Sequence, residues 1–60
     1  MYKIEELITG NLHELENFLN NKEKENYSVV NIIISKTNKM VTPGVSIDIP
    51  KYIIIFKYHE

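Results

Sequence analysis

Three isoleucine-rich runs constrain this 60-residue chain more than anything else in it: Val29-Val30-Asn31-Ile32-Ile33-Ile34, Val45-Ser46-Ile47-Asp48-Ile49 and Tyr52-Ile53-Ile54-Ile55-Phe56. β-Branched residues at this density favour pleated, half-buried strands. A sheet built from them offers two faces, and one short helix covers only one. The sequence therefore predicts a sheet whose second face needs another cover.

Chain length makes that need acute. Residues 1–60 are one domain, and a chain of this size buries only about 60% of its unfolded surface. Domains this small usually rely on a disulfide, a metal or an oligomer interface. The chain has no cysteine, which excludes disulfides and thiolate metal sites. Its two histidines, His13 and His59, are far apart in sequence, and neither belongs to a set with zinc-site spacing. No metal and no cofactor is expected, so oligomerisation is the remaining aid.

Charge narrows the choice of partner. Seven lysines and eight acidic residues give a net charge of −1, and arginine is absent. Nucleic-acid binders draw most of their affinity from a basic stripe, which this chain lacks. Its longest uninterrupted apolar run, Tyr52 to Phe56, is far short of the roughly 20 residues of a membrane span. The start, Met1-Tyr2-Lys3-Ile4-Glu5-Glu6, turns acidic too early for a signal peptide. A cytoplasmic protein is expected. The abundance of Lys, Asn and Ile, without Ala, Arg or Trp, suggests an A/T-rich coding genome of the kind found in Firmicutes and their phages.

Along the chain, Tyr2 to Ile8 reads as a first strand, with Tyr2, Ile4 and Ile8 on one parity and Lys3, Glu5 and Leu7 on the other. Thr9-Gly10-Asn11 breaks it, and Asn11 is a good helix N-cap. Glu14 stands where a capping-box carboxylate reaches back to the cap N–H. Leu12, Leu15, Phe18 and Leu19 then share one helical face, which predicts a helix from Leu12 to about Lys22. Lys22-Glu23-Lys24-Glu25-Asn26 reads as a solvated turn or a frayed helix end.

Tyr27 to Ser35 follows as a strand that is apolar on both parities. Thr42-Pro43-Gly44 is a turn signal. Val45 to Ile49 fits a short edge strand or an extended loop, with Pro50 ending any ladder. Tyr52 to Tyr58 is the last strand. The fold expected is α+β: one helix on a three- or four-stranded, mainly antiparallel sheet, in the order β-α-β-(β)-β. The helical connection favours a parallel crossover, with the last strand between the other two and antiparallel to both.

Strand parity then isolates a second face. Val30, Ile32 and Ile34, and Tyr52, Ile54, Phe56 and Tyr58, are the sets able to meet the helix. Tyr27, Val29, Asn31, Ile33, Ile53 and Ile55 are left as candidate interface residues, bordered by Lys3, Glu5 and Lys57. Exposing a large aliphatic side chain forfeits about 1.5–3 kcal/mol, so four forfeit roughly 6–12 kcal/mol. A whole small domain has a net stability of about 5–15 kcal/mol. Either the Met40 to Ile49 segment folds over this face or a second copy does, and a homodimer is the expected cover. Asn31 either fixes register across such an interface or faces water at a sheet edge.

Tyr2-Lys3-Ile4, Leu15-Glu16-Asn17-Phe18-Leu19-Asn20, Tyr27-Ser28-Val29-Val30 and Tyr52-Ile53-Ile54-Ile55-Phe56-Lys57 together carry a resemblance. The pattern resembles the small bacterial and phage family known as domain of unknown function 4177. Asn26-Tyr27 stands where that family has Gly-Trp, and the segment before the last strand is longer. The resemblance implies the fold and, because the family carries no established activity, no catalytic residue.

No motif here marks a catalytic site. His13 lies off the apolar helix face and reads as a surface residue. His59-Glu60 reads as a chain-terminal tail. Asp48, between Ile47 and Ile49, alternates toward solvent. The tyrosines Tyr2, Tyr27, Tyr52 and Tyr58 suit packing or a protein interface. The function expected is a non-enzymatic, homo-oligomeric module that binds another protein, such as a phage-type accessory or anti-defence inhibitor. The alternative is a small-molecule or nucleotide binder with a pocket between subunits. Weak nucleic-acid binding comes next, and an enzyme last.

Overall fold

The computed structural model describes residues 1–60 and has the element order β1 (Tyr2–Ile8), α1 (Leu12–Lys24), β2 (Tyr27–Thr42) and β3 (Val45–Tyr58). The fold is α+β, with one helix on a three-stranded sheet of order β1-β3-β2. β3 is central and antiparallel to both neighbours.

The helix starts where Asn11 accepts the His13 N–H at 2.9 Å. The capping box is not formed as the spacing predicts. Thr9 sits between its two members: the Asn11 N–H donates to Thr9 Oγ1 at 3.0 Å, and the Thr9 hydroxyl donates to Glu14 Oε2 at 2.7 Å. Thr9 is thereby the one buried polar residue, and it is satisfied on both sides. At the other end the chain leaves the helix through Asn26 at φ 69°. Asparagine tolerates this left-handed conformation better than most residues.

The core lies on one side of β3. Ile54 and Phe56 are fully buried and Tyr52 nearly so. Leu15, Phe18 and Leu19 of α1 pack on them, with Leu7 of β1 and Tyr27 and Ile32 of β2. Phe56 meets the Phe18 ring at 6.1 Å and the Tyr27 ring, edge-on, at 6.2 Å. Leu12 does not join this face and stays exposed.

β2 and β3 run well past the end of β1, whose last pair is Ile8 with Lys51. The excess forms a two-stranded ribbon closed by Pro43-Gly44, and it draws the molecule out to 49 × 19 × 13 Å. Gly44 sits at φ 80°, which an L residue adopts only under strain. Two expectations are corrected here. Val45 to Ile49 is a strand paired on one side only, as expected of an edge, but it is not a separate short strand or a loop: it is the first part of β3. Pro50 does not end the ladder either. Its carbonyl accepts the Thr9 N–H at 3.2 Å, on the β1 side. In an antiparallel strand a residue's N–H and C=O point the same way. The missing Pro50 N–H therefore falls where β1 has already ended, and no bond to β2 is lost.

Candidate interaction face

Register decides which residues share a face. Lys3, Glu5 and Leu7 of β1 lie opposite Phe56, Ile54 and Tyr52, on the helix side. Tyr2, Ile4, Glu6 and Ile8 lie opposite Lys57, Ile55, Ile53 and Lys51, on the open side. The expected polar border is thus corrected: Lys3 and Glu5 face the helix, while Glu6, Lys51 and Lys57 edge the open face.

A β-bulge splits the candidate interface set. Val29 pairs with Phe56 and Asn31 with Ile55, leaving Val30 as the extra residue. One inserted residue reverses the parity of every residue after it in the strand. Tyr27 and Val29 therefore lie on the helix side, where Tyr27 packs against Phe56 and Tyr58. Asn31 and Ile33 lie on the open side with Ile55 and Ile53. Asn31 is exposed, and its Oδ1 accepts the Ile32 N–H at 2.9 Å. The bulge also leaves Ile34 on the helix side yet exposed, outside the cluster that packs on Tyr52.

The open face is larger than the sequence alone indicates. Ile4 is 66%, Ile8 51% and Ile33 47% exposed, with Ile53 and Ile55 half-buried beside them. The odd residues of β3 extend the same stripe into the ribbon through Ile49 and Ile47. Met40 to Ile49 does not fold over this face; it forms the end of the ribbon and leaves the face uncovered. Ile4, Ile8, Ile47 and Ile49 are the residues missing from the sequence-based set. The parity of Val45 to Lys57 carries the signal for two of them, once Pro50 is read as part of the strand. The ribbon's other side is polar, with Asn38 Nδ2 donating to Ser46 Oγ and to Asp48 Oδ1, each at 3.2 Å.

The helix side has its own charge centre. Lys22 extends the apolar face of α1 by one more turn. Its ammonium lies 2.8 Å from Glu5 Oε2, 5.5 Å from the Phe18 ring centre and 6.0 Å from that of Tyr27. Only 13% of its side chain is exposed, so it is not part of a solvated turn. Glu5 Oε2 is sealed from water and depends on this lysine. Burial pushes the Glu5 carboxyl up, but hydrogen bonding and charge from Lys22, with Lys3 beside it, outweigh burial and hold it below its ordinary 4.5. The bond to Glu5 in turn holds Lys22 above its ordinary 10.5, against its own desolvation.

Both shifts make stability depend on pH. The contribution of Glu5 is full above 4.5 and is lost as pH falls through its lowered folded value. That of Lys22 is full below 10.5 and is lost as pH rises through its raised value. Thermal melts of Glu5→Gln are expected to lose less stability than wild type as pH drops below 4.5. Parallel acid profiles for the two proteins would show that the pair contributes nothing.

Neither histidine is paired with a carboxylate. His13 is exposed. His59 is not a loose tail: its N–H donates to Asn26 O at 2.8 Å, and its ring meets the Ser28 hydroxyl. Both side chains of that pair are exposed, and no carboxylate bonds the imidazole. No group of three or more His, Asp or Glu side chains could hold a metal ion. A depression of about 280 Å³ lies between the end of α1 and the start of β2, lined by Leu19, Asn20, Glu23, Tyr27, Ser28 and Val29. No helix is long and apolar enough to cross a membrane. No protein-family model, curated protein or solved structure matches this chain.

Proposed function

We propose that this chain is a non-enzymatic protein-interaction module that works as a homo-oligomer, its open sheet face covered by a second copy. The observation that carries this reading is the isoleucine face opposite the helix, which the chain's own ribbon does not cover. Each large aliphatic side chain buried there contributes about 1.5–3 kcal/mol. That is large beside the stability of a domain this small. A phage-type accessory or anti-defence inhibitor, acting in the cytoplasm, is the form of module that its length and its Lys-, Asn- and Ile-rich composition suit. The small-molecule alternative has the Leu19–Tyr27 depression in its favour, at the lower edge of the ~300–1,000 Å³ of ordinary ligand pockets, but it lies within one copy rather than between subunits.

Native mass spectrometry and light scattering at micromolar concentration test the reading. The wild type is expected to be a dimer. Ile55→Asp, which places a carboxylate in the middle of the face, is expected to be a monomer with unchanged circular dichroism. A wild type that is monomeric throughout that range would overturn the proposal.

A further inference from the structure

Resting on that reading, we infer that the second copy stacks face to face with β3 antiparallel to its mate, about a two-fold axis at the level of Lys51. The ribbon of each copy then covers the β2–β3 part of the other's body. Self-complementarity carries the inference, because a two-fold interface must fit itself: where residue i meets j, j must meet i. Along the open side of β3, Lys51 has Ile49 and Ile47 toward the ribbon and Ile53 and Ile55 toward the body. Reversal about Lys51 sets Ile47 over the second copy's Ile55, and Ile49 over its Ile53.

Lys51 is also the only charged residue of β3 between Ile47 and Ile55 on that face, and it lies 3.4 Å from Glu6. Reversal brings two Lys51–Glu6 pairs together at the axis. The result is a neutral cluster of two cations and two anions, each able to reach across.

Area points the same way. Strands about 4.8 Å apart rising about 3.3 Å per residue give the three-stranded body a face of roughly 320 Å² in projection. The ribbon adds roughly 200 Å² by the same spacings. A standard interface removes about 800 Å² of accessible surface per partner. In the stacked pair β2 and β3 overlap along both body and ribbon, roughly 400 Å² in projection by the same spacings, which is more than the body alone offers, and side-chain relief raises the accessible area above the projected area. On the ribbon the apolar stripe is the β3 half of the open side, where Ile47 and Ile49 pair with Lys39 and Thr37 of β2, and the Asn38–Ser46–Asp48 network lies on the other side.

Lys51→Glu and Glu6→Lys, alone and mixed, test the register. Each variant alone puts four like charges at the axis, and its dimer is expected to weaken on the order of a hundredfold. An equimolar mixture opposes two glutamates on one copy to two lysines on the other, and is expected to form the heterodimer. Repair of the intramolecular pair cannot explain that result, because neither protomer regains it.

A second measurement keeps the native charges and uses the cysteine-free background. Ile47→Cys mixed with Ile55→Cys is expected to cross-link through a bismaleimide that spans the ~10 Å between stacked sheets. Either variant by itself is not, since like positions lie roughly 26 Å apart along the strands. Single charge variants that stay dimeric, a mixture that stays monomeric, or cross-linking of Ile47→Cys to itself would overturn the register. If Ile55→Asp still abolished the dimer, the open-face reading would survive that failure. If every variant including Ile55→Asp stayed dimeric, the face itself would be wrong.

Discussion

Replacing Phe56 by alanine is expected to cost about 3–5 kcal/mol, the usual loss for a buried aromatic ring. Phe56 is fully buried on the central strand, where Phe18 from the helix and Tyr27 from β2 both meet it. Only three hydrophobic residues are buried in the whole molecule, so no neighbouring core is available to collapse into the space. Small domains have about 5–15 kcal/mol in total, and one of this length belongs near the bottom of that range. The variant should therefore be largely unfolded at room temperature. Urea titration followed by circular dichroism measures it. A loss below about 1 kcal/mol would show that the helix–sheet contact does not hold the fold together.

Dimer-linked stability should produce the second large effect. When only the dimer is fully stable, the melting midpoint rises with protein concentration by mass action. A tenfold increase is worth about 0.7 kcal/mol per protomer, which for a chain of this size is roughly 3–6 °C. Ile53→Asp should remove the dependence altogether. Ile53 pairs with Ile33 on one side and with Glu6 on the other, in the middle of the open face. An aspartate there meets water in the monomer but must be desolvated in the dimer. Differential scanning fluorimetry over a hundredfold range of concentration reads both proteins. A flat wild-type midpoint would rule out dimer-linked folding.

Parts of this architecture are legible residue by residue. Tyr52, Ile54 and Phe56 share a parity, and that parity is the core. Alternation groups Asn31, Ile33, Ile53 and Ile55, and the register keeps them on one face. Alternation also places Tyr27 and Val29 with them, where they do not belong, because it assumes an unbroken strand and the bulge at Val30 breaks it. Ile47 and Ile49 escape the same grouping for the opposite reason: Pro50 reads locally as a terminator. Lys22 reads as a solvated charge since its partner, Glu5, is 17 residues away and on another element.

By itself the sequence determined what depends on near neighbours. The limits of β1, the start of α1 at Asn11, the turn at Pro43-Gly44 and the inward set on β3 all come from periodicity, capping and turn chemistry over a few residues. Only the tertiary structure decided what depends on how distant segments align. The bulge that turns Tyr27 inward exists only against the register of β3. Pro50 is tolerated because β1 stops beside it. The ribbon projects, rather than folding back, as β2 and β3 pair with each other beyond the reach of both β1 and α1. Each of these is set by the end or offset of one strand relative to another, a relation that no local stretch of sequence contains.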